Sequence, residues 1–118
     1  MTQRCAATHL EHSMKIGCHC GATIRDQTDY LPYKGHLIPD QEIFSVYDAI
    51  DVVIDDVIAR RVDTESAYMK VRKILGAAKR HVYQCEACGR LFVDDHQHQL
   101  HSFTPASAET SKEILKSR

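Results

Sequence analysis

Apolar residues in the middle of the chain recur every three or four positions, which is the spacing of one helix face. The repeat follows Asp40, the predicted N-cap, and Glu42 lies in the first turn, where the helix dipole favours a carboxylate. We therefore predict an amphipathic helix that runs to about Arg61. Because many of its residues are β-branched, a strand from Ile50 to Ile58 is the alternative, but period and length favour the helix. The periodic positions are Ile43, Val46, Tyr47, Ile50, Val53, Ile54, Val57 and Ile58.

A second helical repeat follows after a short break. It is predicted to begin at Asp63 or Thr64, and Gly76 lies either inside it or near its end. Its apolar positions are Tyr68, Val71, Ile74, Leu75 and Ala78.

Short strands are predicted before and after the helices. Residues 15–25 form a hairpin or a pair of short strands that turns near residues 20–22, and residues 80–84 and 90–94 flank a second turn. Residues 99–103 add another strand, whereas the stretch 29–39 has two prolines and a glycine and is predicted to be irregular. The fold class is therefore α+β, with short antiparallel β-hairpins packed with two central α-helices.

The same pattern predicts how the chain is divided. Residues 1–13 form a polar N-terminal extension, and residues 14–105 form a single α+β domain. Residues 106–118 form a C-terminal tail with only Ile114 and Leu115 as large apolar residues, so we predict a marginal helix or a disordered segment.

Composition is that of an ordinary globular protein. Of 118 residues, 43% are hydrophobic and 26% are charged, and 15 basic against 16 acidic side chains give a net charge of -1. This balance and the pI of about 6.7 count against a nucleic-acid-binding protein. The N-terminus lacks a signal-peptide pattern, and no apolar run approaches the roughly 18 residues of a membrane span. We expect a cytoplasmic protein without a membrane segment.

Charge is nevertheless segregated between the two predicted helices. Residues 40–56 contain six carboxylates and no Lys or Arg, whereas residues 60–80 contain seven basic side chains against Asp63 and Glu65. The favoured interpretation is two solvated faces that attract one another in an antiparallel helix pair. In the alternative, the acidic face binds a basic protein partner.

Four of the five cysteines form two close pairs, Cys18 with Cys20 and Cys85 with Cys88. The odd count and the absence of an export signal favour metal binding over disulfides. Zinc prefers four soft ligands in a tetrahedron, and two such pairs supply them. The four cysteines are therefore the predicted ligands of one structural Zn²⁺ ion. Unpaired buried thiols are the alternative.

The two pairs reach a common ion by different predicted routes. In an extended strand Cys18 and Cys20 point to the same side, and His19 points away from it. The Cys85–Cys88 pair needs a tight turn, and Gly89 can take the positive φ that closes it.

This pattern resembles the zinc ribbon, a family of small folds in which two hairpin turns bind one structural zinc. The closest stretch is Tyr-Gln-Cys-Glu-Ala-Cys-Gly-Arg-Leu-Phe at residues 83–92, and 64 residues (21–84) separate the two pairs. The resemblance implies a zinc-ribbon-like protein with a helical insertion. Iron bound by four cysteines is an alternative to zinc.

Other metal-ligating residues allow different functions. Asp94, His96 and His98 on a strand form a candidate two-histidine, one-carboxylate site, beside which His101 also lies. Cys5, His9 and His12 share a spacing suited to one helix face, although a solvated tail is the favoured interpretation.

Three functions follow. The favoured one is a non-enzymatic interaction protein with a protein partner. The alternatives are a nucleic-acid-binding zinc module based on the basic segment 60–80 and a small metalloenzyme based on Asp94, His96 and His98.

Overall fold

A computed structural model describes residues 14–117 of the chain, and within them it has two helices and six strands. The α+β prediction is confirmed. The strands form a two-stranded sheet, β1-β2, and a four-stranded sheet in the order β3-β4-β5-β6. The elements in chain order are β1 (Met14–Gly17), β2 (Thr23–Asp26), β3 (Lys34–Leu37), α1 (Asp40–Ile58), α2 (Thr64–Ala78), β4 (Arg80–Gln84), β5 (Leu91–Asp94) and β6 (Leu100–Phe103).

The described residues fall into two compact units. One contains residues within 1–35 and 81–118, and the other contains residues 36–80. The first holds both cysteine pairs, whereas the second holds both helices. The predicted polar extension at residues 1–13, with Cys5, His9 and His12, lies outside the described residues.

The core of the first unit is built from the inward residues of its strands. Ile16 of β1 lies opposite Ile24 of β2, and Tyr83 of β4 lies opposite Phe92 of β5. All four are buried, because alternate residues of a strand point to the same side. Two cysteines complete this buried cluster, Cys18 and Cys85. The core therefore includes half of the candidate metal ligands.

A polar group lies at the edge of this core. The Tyr83 hydroxyl donates to Asp26 Oδ2 over 2.6 Å, and Lys34 Nζ forms an ion pair with the same oxygen at 2.8 Å. Partial burial opposes ionisation of Asp26, but Lys34 and Tyr83 outweigh it and hold the pKa of the carboxyl below its usual range. Burial and the Asp26 carboxylate raise the pKa of Tyr83. Lys34, Asp26 and Tyr83 thus join β3, β2 and β4.

The helical unit confirms both predicted helices and the predicted start of α2, and it corrects the two ends of α1. The strand alternative for residues 50–58 is wrong, because α1 continues to Ile58. The N-cap is Pro39 instead of Asp40, and it makes no side-chain hydrogen bond. The predicted end at Arg61 is three residues late, because Arg60 has a φ of 61°. Asp63 caps α2 by accepting a hydrogen bond from the Ser66 amide over 2.7 Å.

One predicted loop contains a strand. Residues 34–37 form β3, so the irregular structure predicted for 29–39 is wrong there. The two prolines flank the strand, and β3 lies at the edge of its sheet, where proline is tolerated nearby. The amide of Gln84 donates to the carbonyl of Tyr33 over 2.9 Å, just before β3 begins.

The C-terminal segment has neither helix nor strand, but it is held by the buried side chain of Gln84. The side-chain Nε2 of Gln84 donates to the backbone carbonyls of Gly89 and Ser111, and its side-chain Oε1 accepts from the backbone amide of Ile114 over 2.9 Å. Leu115 lies close to Gly35. The predicted marginal helix is absent from residues 106–117, and Gln84 explains how this segment is held without one. Within the described residues, neither helix has the length and apolarity needed to cross a membrane.

Replacing Gln84 with leucine should release this segment. The variant keeps the volume but leaves three backbone groups without partners, which we expect to cost about 1–3 kcal/mol of unfolding free energy. Urea denaturation measures that loss, and the Ile114 amide should exchange with solvent faster. Gln97→Leu, at an exposed turn, is the matched control with little effect. Unchanged exchange at Ile114 in Gln84→Leu would contradict the assigned role.

Candidate metal centre

Each cysteine pair begins at the residue that follows a strand. Cys18 follows β1 and Cys85 follows β4. The amide of Gly21 donates to the Cys18 carbonyl over 2.9 Å, and the amide of Gly89 donates to the Cys85 carbonyl over 2.8 Å. In both turns the glycine after the second cysteine therefore donates to the carbonyl of the first cysteine, although this hydrogen bond spans three residues in one turn and four in the other.

Glycine conformation allows both turns to close. Gly21 has a φ of 99° and Gly89 a φ of 85°, in the region that side chains other than glycine rarely adopt. The positive φ predicted for Gly89 is confirmed. The predicted extended conformation of Cys18-His19-Cys20 is wrong, because His19 and Cys20 lie in the turn after β1. The turn, and not strand alternation, brings the two sulfur atoms together.

The four sulfur atoms form one cluster. Cys18 Sγ lies 3.5 Å from Cys88 Sγ, and Cys20 Sγ lies 3.6 Å from Cys85 Sγ. All four sulfurs lie within 4.8 Å of one another, and all four cysteines are free. A tetrahedral ion with metal–sulfur bonds of about 2.3 Å requires sulfur separations of about 3.8 Å. Disulfides would bring them to about 2.05 Å. The cluster can therefore hold a metal ion.

The cysteines do not ionise equally. Burial raises the pKa of the Cys18 thiol, but hydrogen bonds from the Cys20 backbone and from neighbouring side chains outweigh it and lower the pKa to about 7. At Cys20 the Ala22 backbone favours the thiolate, but the adjacent Cys85 sulfur and desolvation raise the pKa to about 11. Proximity of one thiolate thus opposes formation of the next. A cation at the centre of the cluster would offset this repulsion, because metal ligation requires thiolates.

Arg90 is a neighbour of the cluster that sequence reasoning missed. Its Nη1 lies 3.6 Å from Cys18 Sγ, and its Nη2 lies 3.5 Å from Thr104 Oγ1. The guanidinium places a permanent positive charge against a cluster that becomes negative when its thiols ionise. The signal available in the sequence was one basic residue directly after Gly89, which alone does not indicate a direction.

The histidine-based candidate site is not assembled. Among residues 14–117, the four cysteines are the only group of three or more possible ligands close enough to hold one ion. The predicted strand placement of His96 and His98 is wrong: both lie in the turn between β5 and β6, and His98 has a φ of 63°. Asp95 accepts hydrogen bonds from this turn and pairs with His101 at 2.8 Å.

Fold and site together define a small α+β protein with a four-cysteine cluster able to hold a metal ion. Residues 14–109 match the model of the family described as Domain of unknown function (DUF8617), and the chain belongs to this family. The match includes both cysteine pairs and both helices. No curated protein and no solved structure matches the chain.

Three glycine-to-alanine variants separate backbone strain from crowding. At Gly21 the site is open, so alanine should cost only the left-handed conformation, about 1–2 kcal/mol. At Gly89 a Cβ would also lie 3.2 Å from Pro105 and 3.3 Å from Lys112, so the loss should be larger. Gly17 has open space and no positive φ, and its variant should be nearly neutral. Chemical denaturation gives this order, and equal losses at all three positions would contradict it.

Proposed function

We propose that the chain is a zinc-ribbon-like protein in which Cys18, Cys20, Cys85 and Cys88 bind one structural Zn²⁺ ion. The observation that supports this most directly is the convergence of four free sulfurs from two similar turns. Four thiolates fill a tetrahedral shell and leave no position for a reacting water molecule. The proposed role of the ion is therefore structural and not catalytic.

Zinc is proposed over iron, although a four-sulfur tetrahedron suits both. Zinc does not change its oxidation state in proteins and is the usual ion of structural four-cysteine sites. Bound ferric iron would colour the protein, whereas zinc would leave it colourless. Free cysteines are also consistent with the reducing cytosol, where we place the protein.

The proposed biological role is binding to another protein chain. Its support is the helical unit, which has exposed apolar side chains and segregated charge but no cysteine. A structural zinc can stabilise such a protein without taking part in recognition. The near-neutral net charge of -1 does not favour the nucleic-acid alternative.

Metal analysis of the purified protein tests the zinc site. We expect one zinc per chain by elemental analysis, and replacement of any of the four paired cysteines with serine should reduce it. Cys5→Ser is the matched control and should keep the full content. Because metal binding and folding are coupled in such sites, chelation should lower the melting temperature markedly. Full stability after verified zinc removal would overturn the structural role.

Arg90 offers a second test at the same site. Arg90→Gln removes the charge that contacts Cys18, and we expect zinc affinity to fall by about 10–100-fold, as for other groups that support metal ligands. Competition with a chromophoric chelator measures this change. Arg25→Gln is the control, because Arg25 is exposed and its side chain has no ion pair among the described residues. Equal affinities of the two variants would contradict the role of Arg90.

A further inference from the structure

Helix α1 has apolar residues on two adjacent faces, and only one of them is buried. The buried face contains Val46 and Val53, with relative exposures of 5% and 6%. The other face follows the spacing of three and four residues that is typical of helix packing, but it is exposed. Its apolar members are Phe44, Tyr47, Ile54 and Ile58, with exposures of 70%, 53%, 50% and 75%.

Helix α2 repeats this arrangement. Ala67 is buried, whereas Tyr68 and Leu75 are exposed. The two helices form an antiparallel pair, because residues 59–63 connect them and Arg80 pairs with Glu42 across their far ends.

At 3.6 residues per turn, the exposed residues of each helix lie about 100° clockwise of its buried residues, viewed from its own N-terminus. In an antiparallel pair of helices, a clockwise rotation from the buried residues of each helix leads to the same side of the pair. Six residues therefore form one surface, the open face: Phe44, Tyr47, Ile54, Ile58, Tyr68 and Leu75.

Opposite charges border the open face. Asp48, Asp51 and Asp55 lie along its α1 edge, whereas Arg72 and Glu65 lie on its α2 edge. The two ion pairs of the helical unit among residues 14–117 join Asp56 to Arg61 and Glu42 to Arg80, so none of the five charged side chains at the open face is part of an ion pair there. One edge is therefore acidic, whereas the other carries one basic and one acidic side chain, and Arg72 forms no ion pair within the unit.

We propose that the open face binds a second copy of this chain in a two-fold symmetric dimer. Symmetry requires one surface to complement itself, and carboxylates on one edge opposite the unpaired Arg72 on the other satisfy this. With the two-fold axis parallel to the helices, α1 of one copy packs on α2 of the other. The alternative, α1 on α1, would bring carboxylates against carboxylates, which is unfavourable.

This arrangement also pairs residues at matching heights. Glu42 is level with Arg80, and the end of α1 is level with the start of α2. Rotation about the axis therefore brings Asp51 level with the partner's Arg72. It also brings Tyr47 level with the partner's Leu75 and Ile54 level with the partner's Tyr68. Each of the two symmetry-related halves of the interface therefore contains one charge pair with an apolar contact on either side of it. The inference rests on the proposed interaction role and names its partner.

Sedimentation across a range of concentrations tests the dimer on the full-length, zinc-loaded protein. Ile54→Lys should weaken dimerisation at least about tenfold, because it places a charge in the centre of the interface. Val52→Lys is the matched control: Val52 is as exposed, at 57%, but lies on another side of α1. Circular dichroism and zinc content, measured on every sample, identify any variant that fails to fold.

Charge reversal tests which helices meet. Asp51→Arg alone and Arg72→Asp alone should each weaken the homodimer, since like charges would then face one another. An equimolar mixture of the two variants should form a heterodimer, because both pairs become complementary.

A monomeric wild-type chain would overturn the dimer, and with full zinc content it would leave the metal proposal intact. Equal effects of Ile54→Lys and Val52→Lys, or no association in the mixture, would also overturn it.

Discussion

The approach of four cysteine sulfurs is the constraint on which the strand unit depends. Cys18 and Cys85 belong to the buried cluster, whose other buried members within residues 14–117 are Ile16, Ile24, Tyr83 and Phe92. A core of this size provides little apolar burial, and the β1-β2 hairpin is too small to be stable alone. A common ligand of both turns would therefore contribute more here than in a larger domain. The same proximity would be unfavourable for four ionised thiols without a cation.

The long separation between the cysteine pairs does not weaken this constraint. The entropy cost of closing a loop grows only slowly with its length, so an insertion between two anchored ends is tolerated. The ends are anchored close to the site, since Gln84 bonds to Tyr33 and Tyr83 bonds to Asp26. The helical residues 36–80 can therefore form a separate compact unit while the cysteines still meet.

The sequence predicted those features that depend on local periodicity. Both helices, the first hairpin and the flanking strands follow from spacing, and the convergence of the cysteines follows from their paired pattern. Features that depend on distant partners were missed. Strand β3 forms because the chain pairs at a sheet edge, and Arg90 is placed by a turn that only Gly89 makes possible. The histidine site failed because Asp95 closes a turn where alternation predicts a strand.

The segregated charges of the two helices do not hold the helices together in the structure. The sequence favours attraction between the charges of the two helices, yet among the described residues no ion pair joins α1 to α2, and Glu42 of α1 pairs instead with Arg80, the first residue of β4. Packing of the pair comes instead from apolar residues such as Val46, Val53 and Ala67. Charges that do not hold the pair together remain available at its surface. Because they border exposed apolar residues, in the proposed dimer these charges would determine the orientation of the second copy, whereas burial of the apolar residues would provide the affinity.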